Sequence, residues 1–264
     1  MSIPWGLSPL ERLDPKSGDG SSQNRVMDYM KLRPKQFRAE ICRAPVAYLP
    51  LGTLEWHGEH LPLGSDALQA HSFFLKAAAE LGGIVLPPLF VGPDRRDQDT
   101  DLIGMDSCPL DPGAYPPQKL AGSAYWIDDS TFAQILSGIL RQVARAGFKA
   151  VVAHGHGPST SLLNRFSQKW QDDFGLAIIS LWNELGDQGL GFMVDHAAAN
   201  ETSLMMALHP ELVDLAEIEG QSPLVGIAGL DPRIHASADL GCRIIEAQIS
   251  WLKAKLTPWI SPSA

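Results

Sequence analysis

Four short apolar runs, Pro45–Leu51, Ile84–Leu89, Phe148–Ala153 and Leu176–Trp182, constrain the fold more than any other feature of this chain. Each has the length and composition of a buried strand. Helical spacing fills the gaps between them. Ala67–Leu81 carries Leu68, Phe73, Phe74, Leu75, Ala78, Ala79 and Leu81 at that spacing and is stopped by Gly82-Gly83. Asp129-Ser130-Thr131 offers an N-cap for a helix over Phe132–Ala146, which Gly147 closes. A further helix is expected over Ser161–Trp170. The order strand, loop, helix, strand is that of a parallel sheet covered by helices, an α/β fold. Outside this frame, Met27–Glu40 has helical spacing that Pro34 breaks, and Leu204–Leu208 reads as a short helix ended by His209-Pro210. Residues 211–235 are loop-rich, and an amphipathic helix is expected over Ala238–Leu256. No internal repeat, dinucleotide-binding glycine fingerprint or phosphate-loop motif is present.

The chain has 264 residues, 45% of them hydrophobic, enough to bury the core of one large domain over 26–264. Residues 1–25, rich in Gly, Ser, Pro and Asp, read as a loose arm. A long segment at 92–122, rich in Asp, Arg, Pro and Gly, interrupts the regular pattern. Segments of this length are functional walls and lids or surface insertions. The net charge is −9 and no basic stripe is visible, which argues against a nucleic-acid partner. Cys42, Cys108 and Cys242 are far apart and form neither a zinc-type pair nor a disulfide framework, as expected of a cytoplasmic protein. No signal peptide is expected, nor a membrane span, since no run of about 18 apolar residues occurs.

Three of the strand candidates empty into loops dense with ligand-type side chains. After the first comes Glu55-Trp56-His57, then Asp66 beyond a turn containing Gly58, Pro62 and Gly64. After the third comes His154-Gly155-His156-Gly157-Pro158-Ser159, with a glycine on each side of His156. After the fourth come His196 and Glu201. In open α/β sheets ligands sit beyond the carboxyl ends of the strands. Carboxylate and imidazole donors suit zinc, manganese or iron. A surface histidine, or a glutamate favouring a helix start, is the plain alternative for each residue taken singly. Three such loops at one edge favour a metal site. No GxSxG nucleophile motif competes with it.

The segment Leu51–Asp66 resembles the signature of the creatininase family, a GxxEQHGxHLPLGTD pattern. His154–Ser159 falls where that family has NGHGGN or NGHYEN. Glu201-Thr202-Ser203-Leu204-Met205-Met206-Ala207-Leu208, followed by Pro210–Leu215, is similar to its ETSLMLAL-x-PDLVDL segment. The resemblance implies a three-layer α/β/α sandwich around a mainly parallel sheet, and a binuclear centre of divalent ions. His57, Asp66 and His156 would hold one ion, and Glu55 and Asp66 the other, with Asp66 bridging. Creatininase takes a further carboxylate from its NGHYEN loop. Pro158 stands there in this chain, so Glu201 is the expected substitute. His196 would move protons, and Trp182, Phe192 and His154 would contact the substrate. His154 replaces the usual Asn, and Trp56 the usual Gln. Family members are often hexamers, so a homo-oligomer is expected.

These readings agree on a metal-dependent hydrolase acting on a non-peptide C–N bond of a small cyclic amide or N-formyl amine. A metal-bound hydroxide would attack the carbonyl carbon, and His196 or Glu201 would protonate the leaving nitrogen. The alternatives are peptidase-like trimming of a modified peptide and a non-catalytic metal-binding protein on the same fold.

Overall fold

The computed structural model describes residues 27–93, 120, 122–181 and 195–260. The N-terminal arm at 1–25, most of the 92–122 segment, Trp182 and Phe192 lie outside the described residues. Among those described, four strands form one parallel sheet: β1 (Val46–Leu51), β2 (Ile84–Val85), β3 (Ala150–Gly155) and β4 (Ala177–Ser180), in the order β2-β1-β3-β4. The helices are α1 (Pro34–Arg43), α2 (Ser65–Leu81), α3 (Asp129–Arg145), α4 (Gly157–Phe174), α5 (Ala199–Leu208), α6 (Pro232–His235) and α7 (Ala238–Leu256).

Side chains alternate across a strand, so each strand feeds two cores. Val46, Tyr48, Ala150 and Val152 pack against Phe73 and Phe74 of α2, Leu204 of α5, and Ile244 and Leu252 of α7. Ala47, Leu49, Leu51, Val151 and Ala153 face Phe132, Leu136 and Leu140 of α3 and Leu162 and Leu163 of α4, with Phe37 and Ile41 of α1 against the same core. Helices cover both faces, which is the expected three-layer α/β/α sandwich.

The topology places the site. From β1 the chain runs through α2 to β2 on one side, then returns with α3 on the opposite face to β3 on the other side of β1. The order therefore reverses between β1 and β3, and a crevice opens at their carboxyl ends. Leu51 and Gly155 are register partners at that point. Gly155 has φ +128°, and a Cβ there would lie 1.8 Å from the Leu51 carbonyl oxygen, so only glycine lets the two strand ends converge. A Cβ on Gly52 would lie 2.4 Å from the Ala67 Cβ, so the exit of β1 runs directly against the first turn of α2.

Several helices start where the pattern of apolar residues does not. Pro34 opens α1 at its first turn instead of breaking a helix. Asp66 belongs to the first turn of α2, not to the preceding loop. Asp128, not Asp129, caps α3, its carboxylate accepting the Thr131 N–H at 2.9 Å. The start of α4 is Gly157, with Pro158 in its first turn, and α5 starts at Ala199.

Candidate metal centre

The loop after β1 is closed by its own backbone, the Glu55 N–H donating to the Leu63 carbonyl at 2.9 Å. That closure presents Glu55 and His57 to the first turn of α2, where Asp66 sits. His156 is the residue before α4, and His196 and Glu201 flank the start of α5. All six side chains are buried. Their ligand atoms fall into groups within 4.8 Å: Glu55, Asp66 and His156 form one, His57, Asp66 and Glu201 a second, and Glu55, His57 and His196 a third. Asp66 is common to the first two. The grouping differs from the expected partition in that His57 faces Glu201, while His156 faces Glu55. His57 Nε2 lies 3.7 Å from both Asp66 Oδ1 and Glu201 Oε1, and His156 Nε2 lies 3.6 Å from Glu55 Oε2.

Every imidazole is oriented through its other nitrogen. His57 Nδ1 is 2.9 Å from the Glu55 carbonyl and donates to it, which leaves the lone pair on Nε2. His156 Nδ1 is 2.8 Å from Ser159 Oγ. His196 Nε2 donates to the Trp56 carbonyl at 2.9 Å, leaving Nδ1 as its basic nitrogen. The backbone of His196 is pinned by a reciprocal pair of hydrogen bonds with Ala228. Glu201 is held at both oxygens: Oε2 accepts the Ala197 N–H at 2.6 Å and Oε1 accepts Gln69 Nε2 at 2.5 Å. Ala197 adopts φ +51°, a left-handed conformation that alanine rarely takes, between the two site residues His196 and Glu201. Asp195 caps α5 from outside, accepting the N–H groups of Asn200 and Glu201.

Burial and charge pull the titrating groups apart. Burial alone would lower the pKa of His57, but the carboxylates of Glu201 and Asp66 outweigh it and raise the pKa to about 10. Burial would raise Asp66, yet His57 holds it well below the usual carboxylate range. Burial pushes Glu201 up to about 7. Burial also holds His196 and His154 down at about 3. The carboxylates thus outweigh the positive charge in the cluster, which is what pulls the His57 pKa upward. The residues fit a cation. His57 Nε2 and Asp66 Oδ2 are buried and make no hydrogen bond among the described residues. Two ligand atoms each about 2.1 Å from one tetrahedral ion stand roughly 3.4 Å apart, near the 3.6–3.7 Å separations here.

All the expected metal ligands, Glu55, His57, Asp66, His156 and Glu201, converge. His154, expected at the substrate, lies on the strand that carries His156 and feels the charge of Asp66. It is on the α2 side of β3, fully buried, with its ring edge-on to Phe73 and Phe74 at 6.5 and 6.4 Å. The aromatic contacts expected of Trp182 and Phe192 fall outside the described residues. Sequence reasoning missed Gln69, Ser159 and Asp195. Gln69 and Ser159 each stand three residues beyond a ligand, on the same helical face, and that spacing is the signal that could have found them. Trp126 was also missed. Its ring centroid is 5.5 Å from that of His156.

A family model described as creatininase, creatinine amidohydrolase, matches residues 30–238. A creatinine amidohydrolase from Pseudomonas putida is 25% identical over 214 residues, which cover 72% of this chain and 74% of that protein. A crystal structure of creatinine amidohydrolase superposes with a TM-score of 0.70 at 22% identity, covering 90% of this chain and 99% of that one. A manganese form of creatininase does so with a TM-score of 0.66 at 22% identity, covering 89% and 99%. These homologues are hydrolases that act on amide C–N bonds. With most of its length matched by the family model, the chain belongs to the creatininase family.

Proposed function

We infer that this chain is a metal-dependent amidohydrolase that cleaves the C–N bond of a small cyclic amide or N-formyl amine. The observation that carries the reading is the pair of ligand groups sharing Asp66. Glu55, Asp66 and His156 would hold one divalent ion, and His57, Asp66 and Glu201 the other. Manganese, zinc and iron all suit these donors. When bound, such a pair acidifies a water and polarises a carbonyl oxygen at neutral pH.

The protein's own residues do the rest. His57 would bind through Nε2 as a neutral ligand, its Nδ1 proton staying on the Glu55 carbonyl, and Asp66 would serve both ligand groups. His196 keeps its Nε2 proton on the Trp56 carbonyl, so Nδ1 is the atom that takes a proton and returns it to the leaving nitrogen. In the metal-free site Glu201, raised to about 7 by burial, is the group that titrates nearest neutrality, while burial makes protonated His196 a strong acid toward the leaving nitrogen. Trp182 and Phe192 are assigned to the substrate wall. His154, packed behind the ligands, is assigned to their support. The exposed, unpaired Cys42 and Cys242 agree with a cytoplasmic setting, and the exposed Leu230 and Ile234 agree with a homo-oligomer whose contacts cover them. No described helix is long and apolar enough to cross a membrane.

The test is hydrolysis of an amide panel (creatinine, other cyclic amides, N-formyl amines) by protein loaded with a measured metal content. Turnover of at least one small amide that vanishes with a chelator is expected. Creatinine itself is expected to be poor, since Pro158 and Trp56 depart from the family pattern next to the candidate ligands His156 and His57 in the chain. Its kcat/KM should fall below the roughly 10⁴ M⁻¹s⁻¹ of ordinary enzymes. Full metal occupancy with no hydrolysis of any amide would transfer the reading to a non-catalytic metal-binding protein.

A further inference from the structure

Pro158, two residues beyond His156 in the first turn of α4, leaves no side-chain ligand atom at that place. Glu201 comes instead from α5, a helix with its own packing, and something must hold it in register with His57. The residue that does so is Gln69. Its Nε2 donates to Glu201 Oε1, the same oxygen that stands 3.7 Å from His57 Nε2. Gln69 lies one helical turn beyond Asp66, whose Oδ1 stands at the same distance from the same imidazole nitrogen. One helix thus governs both carboxylates facing His57, one directly and one through an amide. We propose that Gln69 is the positioning residue of the second ion site, fixing Glu201 for a divalent cation held with His57 and Asp66.

The chemistry of an amide suits this task. A lysine or arginine would also donate to Glu201, but its charge would cancel the carboxylate's and repel an arriving cation. The amide supplies an N–H without charge, so the full negative charge of Glu201 stays available to the ion. Gln69 is buried, and its Oε1 makes no hydrogen bond among the described residues. An apolar side chain of similar length would fill the space but strip the buried Glu201 Oε1 of its donor. The bond to Glu201 is therefore what accounts for the amide.

The inference rests on the two-ion reading, and its test uses binding instead of turnover. The whole chain, stripped of metal, is titrated with manganese or zinc by calorimetry and analysed for bound metal, as wild type, Gln69→Met and Gln69→Asn. Gln69→Met keeps the length and loses the donor. It should retain one ion at wild-type affinity and bind the second about 10- to 100-fold more weakly. The metal-free variant should still melt cooperatively, only modestly below wild type, since Glu201 Oε1 loses one donor. Gln69→Asn keeps the donor on a shorter arm and should fall between the two. Both ions bound as in wild type by Gln69→Met would overturn the proposal. Equal weakening of both ions would also overturn it, since that marks a structural role. So would a wild-type protein that takes up a single ion. Selective loss of the second ion in a protein that hydrolyses no amide would sustain the proposal while the hydrolase reading fell.

Discussion

His156 Nδ1 lies 2.8 Å from the Oγ of Ser159, three residues further on in the first turn of α4. The bond fixes which imidazole nitrogen faces Glu55 and at what angle. Ser159→Ala should leave the fold intact and weaken one ion about 10-fold, the usual cost of losing a group that orients a ligand. Metal titration checks this, and an unchanged affinity would show that the ring is held by packing alone.

The sharing of Asp66 gives an ordered set of losses. Asp66→Ala should lose both ions. Glu55→Ala should lose mainly the ion held with His156, and Glu201→Ala mainly the ion held with His57. Elemental analysis of the three purified variants decides it. Full occupancy in Asp66→Ala would refute the shared role.

Without metal, the protein should be most stable near pH 6.5, the ordinary pKa of an unfolded histidine. His60, His154 and His196 have folded pKa values of about 4, 3 and 3, lowered chiefly by burial. Below pH 6.5 the unfolded chain binds protons that these residues refuse, so stability falls as the pH drops toward those values. His57 works in the other sense. Its folded pKa of about 10 adds stability that is full below 6.5 and is lost as the pH rises through 10. Each proton of difference contributes a slope of about 1.4 kcal/mol per pH unit. Urea midpoints measured with a chelator from about pH 4 to 10 should trace a dome. A flat alkaline limb would show that His57 is not protonated in the folded metal-free protein.

Two glycines should respond in opposite directions to alanine. Gly155→Ala drives a methyl into the Leu51 carbonyl at a backbone angle alanine avoids, and a loss above roughly 4 kcal/mol, seen as failure to fold, is expected. Gly138 sits in α3, where an added methyl would meet nothing within 4 Å, and Gly138→Ala should gain about 0.5–1 kcal/mol. Thermal melts of the two variants compare them directly.

The sheet and α7 were legible because short apolar runs and sustained helical spacing leave little choice of structure, although the run Ile84–Leu89 pairs as a strand only over Ile84–Val85. Ala238–Leu256 appears with the bounds read from its pattern. The starts of α4 and α5 were not legible in that way. Their first turns hold Gly157-Pro158-Ser159 and Ala199-Asn200-Glu201 instead of large apolar residues, and α5 is capped by Asp195, which lies outside the helix. The cluster of candidate ligands was legible because carboxylates and imidazoles stand out against apolar surroundings. Their supports were not. Gln69 meets Glu201 across 132 positions of chain, and only the packing of α2 on α5 brings them together.

Asp66, His156 and Glu201 stand at the starts of helices instead of on free loops, and His57, His156, His196 and Glu201 are each gripped by protein atoms that need no ion. The centre is therefore a socket already cut to shape. It should lose its ions to a chelator without unfolding, and accept a different divalent metal afterwards. Which metal it carries in the cell would then follow from supply more than from any selectivity of the fold.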